Sequence, residues 1–148
     1  MSSGNDKSQE EFGEALDQLF RAVLRATGRG VPGGETELTL SQYNMLSALG
    51  NGPATVTAVA MSAEVAVPTA TRALRSLEQR GFVERQRGAN RDGRLVTVGL
   101  TRAGSEVLTE KTDWVRARQQ AIFNGLTQSQ RRTAAQTLRA IAEDIHEL

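Results

Sequence analysis

The sequence predicts a mainly α-helical fold that carries one small β-hairpin. Three observations predict it. Aromatic residues make up only 4% of the 148 residues and alanine is abundant, which favours closely packed helices over a β-sandwich. Three segments open on a capping-box pattern, Ser8-Gln-Glu-Glu11, Thr39-Leu-Ser-Gln42 and Thr127-Gln-Ser-Gln130. One stretch, residues 82–100, reads as two strands around a centre of turn-forming residues.

Residues 1–7 are polar and are expected to be disordered. From Ser8 to about Thr27, Phe12, Leu16, Leu19, Phe20 and Val23 fall at helical spacing. Gly28-Arg-Gly-Val-Pro-Gly-Gly34 reads as a connector, because it lacks the Gly-Lys-Ser/Thr of a phosphate loop and follows no strand. The helix after Thr39 is expected to bury Tyr43, Leu46 and Leu49 and to stop at Gly50-Asn-Gly-Pro53. A short helix, Thr55 to Ala63, and a brief turn lead to Val67.

The stretch from Val67 to Gly81 organises the rest. At about 100° per residue, Ala70, Ala73, Leu74 and Leu77 share one side. Pro68, Arg72, Arg75 and Gln79 share the other, flanked by Thr71 and Ser76, with no acid among them. Pro68 suits the first helical position and Gly81 the residue past the end. Arginine, threonine, serine and glutamine are side chains that reach base edges and phosphates. Two short helices joined by a turn, the second with a basic polar face, make a helix-turn-helix.

Strands Phe82–Arg87 and Leu95–Leu100 flank Gly88-Ala-Asn-Arg-Asp-Gly93, so the motif is followed by a hairpin, or wing. Arg94 is its candidate minor-groove reader, with Asp92 placed two residues earlier to hold the guanidinium. Thr101 caps a long helix to about Gly125. In it Val107, Trp114 and Ala121, and Leu108, Val115 and Ile122, repeat every seven residues. A last helix carries Ala134, Leu138, Ile141, Ile145 and Leu148.

Charge supports the same reading. The net charge is +1, yet residues 67–102 hold eight basic residues, all arginine, against three acids. The remainder is acidic. A basic middle on an acidic body is the footprint of a polyanion partner. There is no cysteine, so disulfides and thiol chemistry are excluded. The single histidine, His146, leaves any metal site to carboxylates alone, and none is expected. No Gly-x-Ser-x-Gly is present, and the acids of the first helix suit its N-terminus without catalysis. The expectation is a cytoplasmic binding protein without a cofactor, and not an enzyme. Too few aromatics accompany the basic segment for stacking unpaired RNA bases.

The order of elements, with four motifs, resembles the MarR (multiple antibiotic resistance regulator) family of bacterial transcription factors. The motifs are Leu38-Thr-Leu-Ser-Gln-Tyr-Asn-Met-Leu46, Pro68 through Arg85, Asp92-Gly-Arg94, and Leu100-Thr-Arg-Ala-Gly104. The resemblance spans about Glu10 to Leu148. It implies a single domain, 1–148, with a winged helix-turn-helix core at 38–102 and dimerisation helices at 8–27 and 102–148. It also implies a homodimer on an inverted-repeat operator, usually as a repressor.

Carried over by position, the DNA-contacting residues are Thr39, Ser41, Gln42, Pro68, Thr69, Thr71, Arg72, Arg75, Asp92 and Arg94. The dimer interface would use Phe12, Leu16, Ile122, Phe123, Leu126, Leu138, Ile141 and Ile145. Many members release DNA on binding a small phenolic or amphipathic anion, for which Phe20, Tyr43 and Trp114 are the candidate lining. The chain departs from the thiol-oxidation and zinc-sensing members, and Gly93 stands where many members have arginine. A winged-helix module that binds proteins rather than DNA is the alternative reading.

Overall fold

The structure, a computed structural model, describes residues 3–88 and 93–146. In chain order it has α1 (Ser3–Thr27), α2 (Leu40–Ala48), α3 (Val56–Ser62), α4 (Val67–Gln79), β1 (Val83–Arg87), β2 (Val96–Leu100), α5 (Arg102–Gly125) and α6 (Gln128–His146). The chain divides into two compact units, Met1–Lys111 and Thr112–Leu148, with the division inside α5.

The first unit holds the core. Leu38, Met45, Leu46 and Leu49 pack with Val59 and Ala60 of α3, Ala70, Leu74 and Leu77 of α4, and Val83, Val98 and Val107. The predicted inner side of α4 is therefore its buried side, with Ala73 half-buried against the cluster. Tyr43 is only half-buried, and Met45, which the helical pattern had not singled out, takes the interior place.

β1 and β2 pair antiparallel, with Val83 opposite Leu100 and Arg87 opposite Val96. Val98 also exchanges two backbone hydrogen bonds with Ala54 (Ala54 N–H to Val98 O, 3.0 Å; Val98 N–H to Ala54 O, 2.8 Å). The loop after α2 thus supplies a third, one-residue strand to the wing. Its proline-containing sequence conceals that role.

Two helix starts differ from expectation. Helix α1 begins at Ser3, not Ser8, so residues 3–7 are helical and Ser8-Gln-Glu-Glu11 lies inside the helix. Asp6 in the first turn and the Lys7–Glu11 ion pair at one-turn spacing suit this longer helix. In α4 the N-cap is Ala66, and Pro68 is the second helical residue.

In the second unit, the Thr127 box forms as predicted. The Gln130 amide donates to Thr127 Oγ1, and the Thr127 amide donates to Gln130 Oε1. Arg131 lies over the Phe123 ring, 4.6 Å from its centre, and donates to the Phe123 and Asn124 carbonyls. Among the described residues no helix is long and apolar enough to cross a membrane.

Candidate nucleic-acid interface

Helix α4 is built to be held at one end and open at the other. At its C-terminus Gly81 takes φ 77°, which a residue with a side chain adopts only at a cost. That turn lets the Gly81 amide donate to Glu78 O and the Phe82 amide to Leu77 O, the paired bonds of a Schellman ending. Thr101 Oγ1 donates to Gly81 O at 2.6 Å, and Arg85 pairs with Glu78 at 3.1 Å. Gly104 lies so close to the Phe82 backbone that an added Cβ would sit 1.9 Å from its carbonyl oxygen. The threonine and glycine of Leu100-Thr-Arg-Ala-Gly104 therefore clamp the base of the wing to the first turn of α5. Thr101 Oγ1 also accepts from the Gly104 amide, which makes it the cap expected there.

The N-terminal end is the reverse. Ala66 makes no side-chain cap, and the first turn contains no acid. Ala66, Val67, Pro68 and Thr69 are exposed. Arg72 and Arg75 are exposed and form no hydrogen bond or ion pair among the described residues. With Val67, Pro68 and Thr71 they line a shallow depression of about 360 Å³. Uncapped amides and two free guanidiniums leave this end strongly attractive to anions. The turn before it holds Glu64 at φ 53°, where α3 ends in the same double-bonded way as α4 but without a glycine.

Residues of the α2 start have another task. Gln42 completes the Thr39 capping box, and its Nε2 donates to Ser76 Oγ on α4 at 3.0 Å. Arg80 donates to Gln42 Oε1 at 3.5 Å and to Glu37 O at 2.7 Å, and lies over the Phe82 ring. Gln42, expected at the DNA, thus ties α2 to α4. Ser41, also expected at the DNA, has its hydroxyl oxygen buried without a partner among the described residues. Thr39 remains exposed, its hydroxyl accepting from the Gln42 amide.

Arg94 is exposed next to the hairpin tip. Asp92, its expected partner, lies outside the described residues. Of the aromatic candidates, Phe20 is 40% exposed, Tyr43 half-buried and Trp114 40% exposed, each described within its own unit.

The sequence pattern missed Lys111, which is 1% exposed in α5. Its Nζ donates to Gly33 O, pinning the loop that the Arg80–Glu37 bond pins further along. Burial, the main cause, lowers its pKa from the usual 10.5, and Arg80 acts in the same direction. Glu110 and Glu37 oppose it. The signal was available: Lys111 falls one turn after Val107 and Leu108, in the apolar stripe rather than beside it.

Residues 38–96 match the model of the MarR family, and this span contains α2, α3, α4 and the wing. The similarity to the MarR family therefore lies in the winged helix. No curated protein matches the chain by sequence. Among solved structures, Streptococcus pneumoniae FabT in complex with DNA is similar, with a TM-score of 0.77 and 20% identity. That match covers 94% of this chain and 98% of FabT. Lactococcus lactis ZitR in complex with DNA has a TM-score of 0.68 and 19% identity, covering 90% and 97%. A Listeria innocua protein of unknown function has a TM-score of 0.70 and 19% identity, covering 97% and 99%. These structures share the fold of this chain beyond the matched span, including the helices on either side of it.

Proposed function

We propose that the chain is a sequence-specific regulator of transcription that binds double-stranded DNA through α4 and the wing. The observation that carries this is the open end of α4, where Arg72 and Arg75 stand exposed and unpaired among the described residues beside an uncapped, acid-free first turn. That face suits a major groove, and the exposed Arg94 suits the adjacent minor groove. Thr39, Pro68, Thr69 and Thr71 complete the contact set, with Asp92 as the partner of Arg94. The DNA complexes of FabT and ZitR, which share the fold, support the same use of it.

The regulator acts in the cytoplasm as a homodimer on an inverted repeat, as a repressor, and it is not an enzyme. Support for the dimer comes from apolar residues the single chain leaves uncovered. Phe12 is 52% exposed on α1, Ile122 58% on α5 and Leu138 56% on α6. Leu16, Phe123, Leu126, Ile141 and Ile145 belong to the same proposed interface. Two-fold symmetry would set two copies of α4 at half-sites ~34 Å apart. A small amphipathic anion is proposed to release DNA, contacting Phe20, Tyr43 or Trp114.

The test is an electrophoretic shift with the DNA upstream of the chain's own gene. Arg94→Ala is expected to weaken binding by about 1–3 kcal/mol at matched salt with an unchanged melting temperature. Absence of any shift at low salt favours the protein-interaction module. Sedimentation that gives a monomer at working concentration overturns the dimer. A thermal-shift screen of small phenolic acids tests the effector.

A further inference from the structure

The open end of α4 is not uniformly polar. Val67 is 44% exposed, and Pro68 beside it has no N–H to donate. Thr71, one turn on, donates its hydroxyl hydrogen to Val67 O at 2.9 Å. Its one hydrogen is therefore committed within the helix, and its methyl group remains. Val67, Pro68 and Thr71 share one depression with Arg72 and Arg75, so an apolar strip lies beside two guanidiniums that are unpaired among the described residues. A buried hydrogen-bonding edge placed on such a strip would lose its water without gaining a partner. Of the groups displayed in a major groove, only the thymine 5-methyl is apolar.

We propose that Val67, Pro68 and Thr71 read a thymine 5-methyl group, next to bases or phosphates held by Arg72 and Arg75. This rests on the DNA-binding reading and deepens it, by assigning specificity to the non-basic residues of α4. The bound sequence must then carry thymine at one position of each site that α4 enters. Cytosine there is rejected because it lacks the methyl, and adenine and guanine because they present polar edges to the strip.

The experiment uses the full chain. Duplexes are selected from a random-sequence pool, and each thymine in the selected duplex is replaced, one at a time, by deoxyuridine, which lacks only the 5-methyl. Uracil at the position read by the strip is expected to weaken binding roughly three- to fivefold, the effect of losing one buried methyl. In Thr71→Ser, which keeps the hydroxyl, and in Val67→Ala, the same replacement is expected to matter less. Uracil tolerated everywhere in a duplex that still binds overturns the thymine assignment and leaves the DNA-binding reading intact. A uracil effect of the same size in both variants also overturns it, because another residue then reads the methyl. Recovery of no duplex from the pool overturns the DNA-binding reading itself.

Discussion

The two ends of α4 are made from opposite materials. At the C-terminal end the turn at Gly81 gives the Gly81 and Phe82 amides partners within α4, and Thr101 bonds the Gly81 carbonyl. Arg80 and Arg85 are both engaged there. At the N-terminal end the cap is missing and Arg72 and Arg75 have no partner among the described residues. The same residue type thus serves as mortar or as probe according to what surrounds it. Arginines near acids and carbonyls hold the helix in place, and arginines near none are left for a ligand. A probe helix needs one fully satisfied end, because groups left open at the other contribute nothing to holding it.

The largest effect is expected at Gly104. Glycine to alanine inside a helix ordinarily gains about 1 kcal/mol. Here the added Cβ meets the Phe82 carbonyl at 1.9 Å, so the sign reverses. Gly104→Ala is expected to cost about 3 kcal/mol of stability, read by chemical denaturation, as the wing base is pushed off α5. Arg75→Ala should act at the other end alone. It should weaken DNA binding by about 1–3 kcal/mol with an unchanged melting temperature. Weakening that is equal on all sequences would make Arg75 a phosphate contact rather than a base reader.

Glu64→Gly is expected to act in the opposite direction, toward stability. Glu64 adopts a left-handed conformation that costs a side-chain-bearing residue about 1–2 kcal/mol, so glycine there should raise stability by about 1 kcal/mol. A lower melting temperature would mean that the Glu64 side chain supports the turn. The smallest effect is expected at Lys111. Burial makes its folded-state pKa lower than 10.5, so the unfolded chain binds more protons as pH approaches that value. Stability from this group therefore rises with pH up to 10.5 and is missing below its lowered pKa. Lys111→Met removes the dependence, so the wild-type chain should gain on the variant as pH is raised. A constant difference would show that Lys111 titrates normally.

What could be read from sequence follows from how far each interaction reaches. The Thr39–Gln42 and Thr127–Gln130 boxes, Gly81 and the buried side of α4 depend on neighbours within a turn or two, and residue order displays them. The Ser8 pattern misled because a helix already begun at Ser3 accepts those residues in its interior. The Gln42–Ser76, Arg80–Glu37 and Lys111–Gly33 bonds join residues 34 to 78 positions apart. Only the packing of the core brings them together, so residue order does not display the bonds of Gln42 and Lys111. The inward turn of the Ser41 hydroxyl has a related cause. A helix start presents some side chains outward and others inward, and the capping pattern does not distinguish them.

Every cation between Val67 and Arg102 is arginine, and the chain has two lysines, Lys7 and Lys111. Lys7 is exposed near the start of α1, and Lys111 is buried. Acylating agents, whether an acetyl donor or an amine-coupled dye, would find their side-chain target on α1 and leave the groove-facing charges unmodified. The protein can be tagged or tethered through amines with its recognition surface chemically silent.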